Sequence, residues 1–116
     1  MKITVFTPTY NRGYIIDNLF QSLKRQSYTD FEWIVIDDGS DDDTENMFQK
    51  FQSVDNGFPI IYKKVNNGGK HRAINTGLNL AKGELFFIVD SDDYLTDSAL
   101  ERIVNEGSGG LICIIL

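Results

Sequence analysis

The sequence predicts an α/β fold in which a mostly parallel sheet is covered by helices, and two observations carry that expectation. Four short apolar runs, Ile3 to Phe6, Trp33 to Ile36, Ile60 to Val65 and Leu85 to Val89, alternate with stretches of helical period. Two dense acidic clusters each follow directly on one of these runs, at the strand ends where open α/β sheets bind ligands.

Ile3-Thr4-Val5-Phe6 alternates from the start of the chain and reads as the first strand. A helix is expected from about Gly13 to Ser27, because Ile15, Ile16, Leu19, Phe20 and Leu23 fall on one face and Asn11 can serve as N-cap. After the second strand a shorter helix starts near Asp43, with Met47, Phe48 and Phe51 facing inward and Ser40 to Asp43 supplying cap and dipole partners. The third helix spans Lys70 to Lys82, with Ala73, Ile74, Gly77, Leu78 and Ala81 as its buried stripe and Gly83 as its stop. The fourth runs from about Asp97 to Asn105; Thr96 or Ser98 caps it, Ser98 and Glu101 are spaced for a capping box, and Ala99, Leu100, Ile103 and Val104 face inward. Glu106-Gly107-Ser108-Gly109-Gly110 reads as a loop, and Leu111 to Leu116 as a buried strand with nothing after it to cover it. The expectation is a domain cut short at its C-terminus, whose apolar tail could pair with a second copy as a homodimer.

Length and composition suit one domain of 116 residues, 41% of them hydrophobic. The apolar runs fall far short of the roughly 20 residues that a membrane-spanning helix needs, and the N-terminus lacks a secretory layout, so the expected location is cytoplasmic. The single cysteine, Cys113, sits in an apolar run and reads as a core residue. With 17 acidic against 11 basic residues the net charge is -6, a sign that repels nucleic-acid phosphates; no nucleic-acid partner is expected. An anionic small molecule can still bind where a divalent cation or a basic patch reverses the local field.

Phe87-Ile88-Val89-Asp90-Ser91-Asp92-Asp93 ends an apolar strand in three carboxylates within four residues. Such crowding of like charge calls for a hard cation on oxygen ligands, and Mn2+ or Mg2+ suits Asp90, Asp92 and Asp93 best. The second cluster, Asp37-Asp38-Gly39-Ser40-Asp41-Asp42-Asp43, follows the second strand. If the strand order is 3-2-1-4, both clusters open onto one crevice and stand two inter-strand spacings apart, roughly 10 Å, a span suited to a nucleoside joined to its phosphates. Asp37 and Asp38 are then assigned to base or ribose, and Asp41 to Asp43 to the N-terminus of the second helix. In Asn66-Asn67-Gly68-Gly69-Lys70-His71-Arg72 a glycine turn enters a helix with basic residues in its first turn, which is where a phosphate is favoured; Gly69, Lys70 and Arg72 are the candidates. The stretch is not a Walker A loop, because Lys64 and His71 stand where that pattern needs Gly and Ser or Thr.

Taken together, Thr7-Pro8-Thr9-Tyr10-Asn11-Arg12, Asp37-Asp38-Gly39-Ser40, the Asn67-Gly68-Gly69 to Asn75-Thr76-Gly77 stretch and Asp90-Ser91-Asp92-Asp93 resemble family 2 glycosyltransferases. The likeness extends to about Val104. It implies a GT-A fold, a Rossmann-like three-layer sandwich, and inverting transfer of a sugar from a UDP-sugar or similar nucleotide-sugar donor to a saccharide or lipid-linked acceptor, as in polysaccharide or cell-surface glycan synthesis. It further implies that Thr7, Pro8, Tyr10 and Arg12 line the nucleotide pocket, that Asp38 or Asp37 contacts the base, and that Asp90 and Asp92, with Ser91 between them, form the D-x-D motif around the metal, Asp92 being the direct ligand. Ile74 stands where relatives often carry Arg. The catalytic base of the family falls beyond the D-x-D strand, so residues 1–116 are expected to be the nucleotide-sugar-binding part of the domain, with the general base past Leu116, and the whole protein to work in the cytoplasm or at the inner membrane face. A phospho-receiver, which needs an acidic pair after its first strand, and a nucleotidyltransferase, which opens with a Gly-rich basic loop, both fit Thr7-Pro8-Thr9-Tyr10 less well.

Overall fold

The computed structural model describes residues 2–66 and 68–106. Strands β1 (Ile3–Thr9), β2 (Phe31–Asp37), β3 (Ile60–Lys64) and β4 (Leu85–Ile88) alternate with helices α1 (Ile16–Lys24), α2 (Thr44–Gln52), α3 (Lys70–Leu80) and α4 (Ala99–Glu106). Every strand pair is parallel and the order is β3-β2-β1-β4, so the chain builds outward from β1 on one side and then returns to its other side. That return makes β1 the point where strand order reverses, and because all strands run parallel the C-terminal ends of β2 and β4 flank it at the same edge of the sheet.

Two apolar layers sandwich the sheet. On one face Ile3, Val5, Trp33 and Val35 meet Ile16, Leu19, Phe20 and Leu23 of α1, Phe48 of α2 and Leu100 of α4; on the other Phe6, Ile34, Ile36, Phe86 and Ile88 meet Ala73 of α3. The period-2 alternation of β1 and β2 thus feeds both layers, each buried aliphatic or aromatic side chain contributing about 1.5–3 kcal/mol. Trp33 is fully buried and its indole N–H donates to Thr7 Oγ1 at 2.9 Å, which satisfies the polar end of an otherwise apolar ring. A polar stitch holds the opposite end of the sheet: buried Glu32 accepts from Thr4 Oγ1 at 2.6 Å and from the Lys82 N–H at 2.7 Å, while the Gly83 N–H donates to Thr4 Oγ1.

Helix boundaries depart from the sequence expectation for reasons that lie far away in the chain. Asn11 does not cap α1; its backbone is left-handed at φ 51° and its side chain is engaged by the loop after β2, so the helix starts only at Ile16 after a turn closed on the Arg12 carbonyl. Neither Ser40 nor Asp43 caps α2 with its side chain; Asp42 accepts from the Thr44 N–H instead. Helix α3 ends at Leu80 rather than Lys82, because Glu32 and Thr4 draw the next backbone groups into an extended path, and Gly83 serves that close passage: a Cβ there would lie 2.5 Å from the Thr4 nitrogen. Leu78, expected in the buried stripe of α3, is 50% exposed. Helix α4 opens on backbone bonds to the Thr96 and Ser98 carbonyls. The expected loop at 107–110, the apolar run at 111–116 with Cys113, and the dimer contact assigned to it lie outside the described residues. Among the described residues no helix is long and apolar enough to cross a membrane.

Candidate functional site

The three loops at the C-terminal edge of the sheet meet in a cleft of about 330 Å³ lined by Pro8, Thr9, Tyr10, Arg12, Asp38, Ala73, Asp90, Ser91 and Asp92. The two acidic clusters of the sequence therefore do converge: β2 delivers Asp38 to one side, β4 delivers Asp90 to Asp92 to the other, and β1 supplies the floor between them. Sequence reasoning passed over Thr9 and Ala73. Ala73 was legible as an inward residue on the first turn of α3, and its small side chain leaves the cleft open.

Asp90, Asp92 and Asp93 are exposed, and each can offer a carboxylate oxygen such that the three lie within 4.8 Å of one another. That spread matches ligand oxygens on opposite sides of one hard cation at about 2.0–2.6 Å each, so the donor set fits Mg2+ or Mn2+ with water or phosphate completing the shell. The turn is tightened by the Asp93 N–H donating to the Asp90 carbonyl at 3.1 Å, and Val89 remains tied to β1 through its N–H to the Phe6 carbonyl. The carboxylates of the turn therefore follow directly on the last residues tied to β1.

Across the floor, Asp38 is fixed by its backbone N–H to the Thr9 carbonyl, while its two carboxylate oxygens accept from the Gly68 N–H at 2.7 Å and the Gly69 N–H at 3.1 Å. These are the backbone donors that the glycine turn was expected to offer to phosphate; here they close the turn onto β2. Gly69, at φ 84°, and exposed Arg72 lie outside the cleft lining, and only the backbone of Lys70 is described. Tyr10 is 45% exposed on the cleft, and Arg12 presents an exposed guanidinium with no ion-pair partner among the described residues.

Two residues expected in direct contact with a ligand, Thr7 and Asp37, are buried and do not line the cleft. Thr7 is buried as the acceptor for Trp33. Asp37 is 0% exposed, accepting from the Ser40 N–H at 2.8 Å and from the Tyr62 hydroxyl. Burial, then the hydrogen bond to and the charge of Asp37, push the Tyr62 phenol far above its ordinary value, so it stays protonated and donating. The residues that follow in that run tie the loops together: Ser40 Oγ accepts from the Asn11 N–H at 2.8 Å, Asn11 Oδ1 from the Asp41 N–H at 2.9 Å, and Asp42 Oδ2 from the Gly13 N–H at 3.0 Å. Desolvation raises the Asp42 carboxyl, but hydrogen bonds from the Thr44 hydroxyl and from the backbone of Thr44, Gly13 and Asp42 itself outweigh it and leave the group below the usual carboxylate range.

An open parallel sheet with a two-sided acidic cleft at its switch point places the chain among α/β proteins whose ligands bind at the C-terminal edge of the sheet, and similarity to known proteins narrows the class. The description of glycosyl transferase family 2 matches residues 4–109, and the chain belongs to that family. It is 34% identical over 113 residues to the GalNAc(5)-diNAcBac-PP-undecaprenol beta-1,3-glucosyltransferase of Campylobacter jejuni, covering 94% of this chain and 35% of that protein. The crystal structure of Staphylococcus aureus TarS in complex with UDP-GlcNAc matches with a TM-score of 0.84 at 34% identity, over 94% of this chain and 32% of that one. The mannosyltransferase PcManGT from Pyrobaculum calidifontis, in complex with GDP-Man and Mn2+, matches with a TM-score of 0.74 at 28% identity, over 79% and 28% of the two chains. The fold is of the GT-A type, and the chain spans about a third of the length of these relatives.

Proposed function

We propose that residues 1–116 form the donor-binding part of a glycosyltransferase that moves a sugar from a nucleoside-diphosphate donor, a UDP-sugar, to an acceptor hydroxyl with inversion at the anomeric carbon. The observation that carries this reading is the convergence of Tyr10, Arg12 and Asp38 with Asp90, Ser91 and Asp92 on one cleft. The half-exposed Tyr10 ring offers a face for the base. Asp38 keeps a lone pair on each oxygen beyond those given to the glycine turn, enough to accept from a base N–H or a ribose hydroxyl. Arg12, exposed on the cleft, faces the phosphates, and Pro8 packs beneath them. Asp90, Asp92 and Asp93 hold Mn2+ or Mg2+, which when bound supplies positive charge against the charge growing on the departing diphosphate. These side chains thus serve the leaving group. The acceptor is a saccharide or a lipid-linked saccharide; the undecaprenol-linked substrate in the name of the Campylobacter relative supports the latter, which would bring the whole protein to the inner membrane face.

Calorimetric titration tests this directly. UDP is expected to bind with Mn2+ present and at least about tenfold more weakly without it, and Asp92→Asn is expected to erase that difference, one lost charge-assisted ligand being worth about 1.4 kcal/mol or more. Equal affinity with and without the cation, unchanged in Asp92→Asn, overturns the reading.

A further inference from the structure

We infer that Tyr62, which lies on β3 outside the cleft lining, is a positioning residue for the donor site: acting through Asp37 and Ser40, it holds the Asn11 turn that presents Tyr10 and Arg12. The inference rests on the donor-site reading above. Tyr62 donates its hydroxyl to one oxygen of Asp37, the other oxygen of Asp37 accepts from the Ser40 N–H at 2.8 Å, Ser40 Oγ accepts from the Asn11 N–H at 2.8 Å, and Asn11 Oδ1 accepts from the Asp41 N–H at 2.9 Å. The relay runs from the edge of the sheet to the residue between the two cleft side chains.

Each link is constrained. Asp37 is fully buried, so water cannot replace a lost partner, and a buried carboxylate short of a donor is costly enough to rearrange its surroundings. The Tyr62 ring is stacked on Phe48 at 4.8 Å and 12°, which fixes where its hydroxyl points. Asn11 sits at φ 51°, a left-handed backbone that asparagine tolerates better than most non-glycine residues, and the two bonds to Ser40 and Asp41 hold it there. Releasing Asn11 frees the backbone of its neighbours on both sides, and both neighbours line the cleft. A tyrosine that merely filled the core would be replaceable by phenylalanine with no effect on that turn.

The test uses the 116-residue chain with Tyr62→Phe and, separately, Ser40→Ala, which removes only the acceptor for Asn11. Three quantities are read: the Kd for UDP with Mn2+, the amide exchange of Asn11 and Ser40 against strand amides such as Val5 and Ile34, and the melting temperature. If the turn keeps its bound geometry only about a tenth of the time, UDP binds about tenfold more weakly. We expect that loss together with faster exchange confined to the 10–13 and 38–42 loops, the strand amides keeping their protection. Binding within twofold of the unmodified chain, or faster exchange spread evenly over the strands, overturns the relay while leaving the donor site standing. Failure of the unmodified chain to bind UDP overturns the donor site and the relay with it. Should Tyr62→Phe not fold, Ser40→Ala decides by the same criteria.

Discussion

Replacing Gly77 by alanine sets two physical effects against each other, and the structure says which wins. In a helix interior the change ordinarily stabilises by about 0.8–1.0 kcal/mol, because glycine loses more backbone freedom on folding. Here the new Cβ would lie 2.2 Å and 2.4 Å from Cε1 and Cδ1 of Phe6. Carbon atoms rest about 3.5–4.0 Å apart, so the overlap exceeds about 1 Å at two ring atoms. Phe6 cannot swing clear, being fully buried and stacked on Phe86 at 5.2 Å, so α3 must lift from β1. Overpacking of this kind costs about 1–3 kcal/mol and outweighs the propensity gain when it reaches the upper part of that range, as a clash with a fixed ring should. The expected net effect is a destabilisation of about 1–2 kcal/mol, a fall in melting temperature of roughly 4–8 °C per kcal/mol for a domain near this size. Urea unfolding followed by the fluorescence of the single tryptophan, buried Trp33, reads it, with exposed Asn79→Ala in the same helix as the control expected to be neutral or slightly stabilising. A Gly77→Ala midpoint at or above the parent's, with an unchanged slope, would refute the reasoning.

Acid stability and surface charge give two further outcomes. Because the folded-state pKa of Asp42 is depressed, its contribution is present above the unfolded carboxylate value of about 3.9 and drains away as the pH falls below it towards the lower folded value. Asp42→Asn should lower stability at pH 7 and flatten the fall below about pH 4, and unfolding curves of the two chains that stay parallel throughout would contradict the assignment. Arg25 and Asp97 form an ion pair at 3.4 Å with both side chains more than half exposed, so Arg25→Met should shift unfolding by less than about 0.5 kcal/mol; a shift above about 1 kcal/mol would mean the pair is better ordered than its exposure indicates.

The architecture was legible because its signals are local. Alternation gave the strands, and Asp37-Asp38 and Asp90 to Asp93 stood after two of them; that both open onto one crevice was conditional on the order 3-2-1-4, which β3-β2-β1-β4 supplies. What the sequence hid depends on contacts across about thirty to eighty residues: Asn11 is used by Ser40 and Asp41 rather than by α1, and α3 is cut short by Glu32 and Thr4. Leu78 is apolar yet half exposed, since periodicity marks a face without saying how far its cover extends. The division of labour between Asp37 and Asp38 was half visible. Asp37 shares the parity of Trp33 and Val35 and so points into the layer beneath, whereas Asp38 follows the last paired residue.

The sheet also acts as a ruler. Between the carboxylate after β2 and those after β4 stands a single strand, β1, hydrogen-bonded to both neighbours. Rotamers can trim the distance, but adding or removing a strand would change it in jumps of about 4.8 Å. The gauge of the cleft is therefore quantised by backbone pairing. Substitution at its rim can alter which molecule is preferred within that length, while the length itself is written into the order in which the strands were laid down.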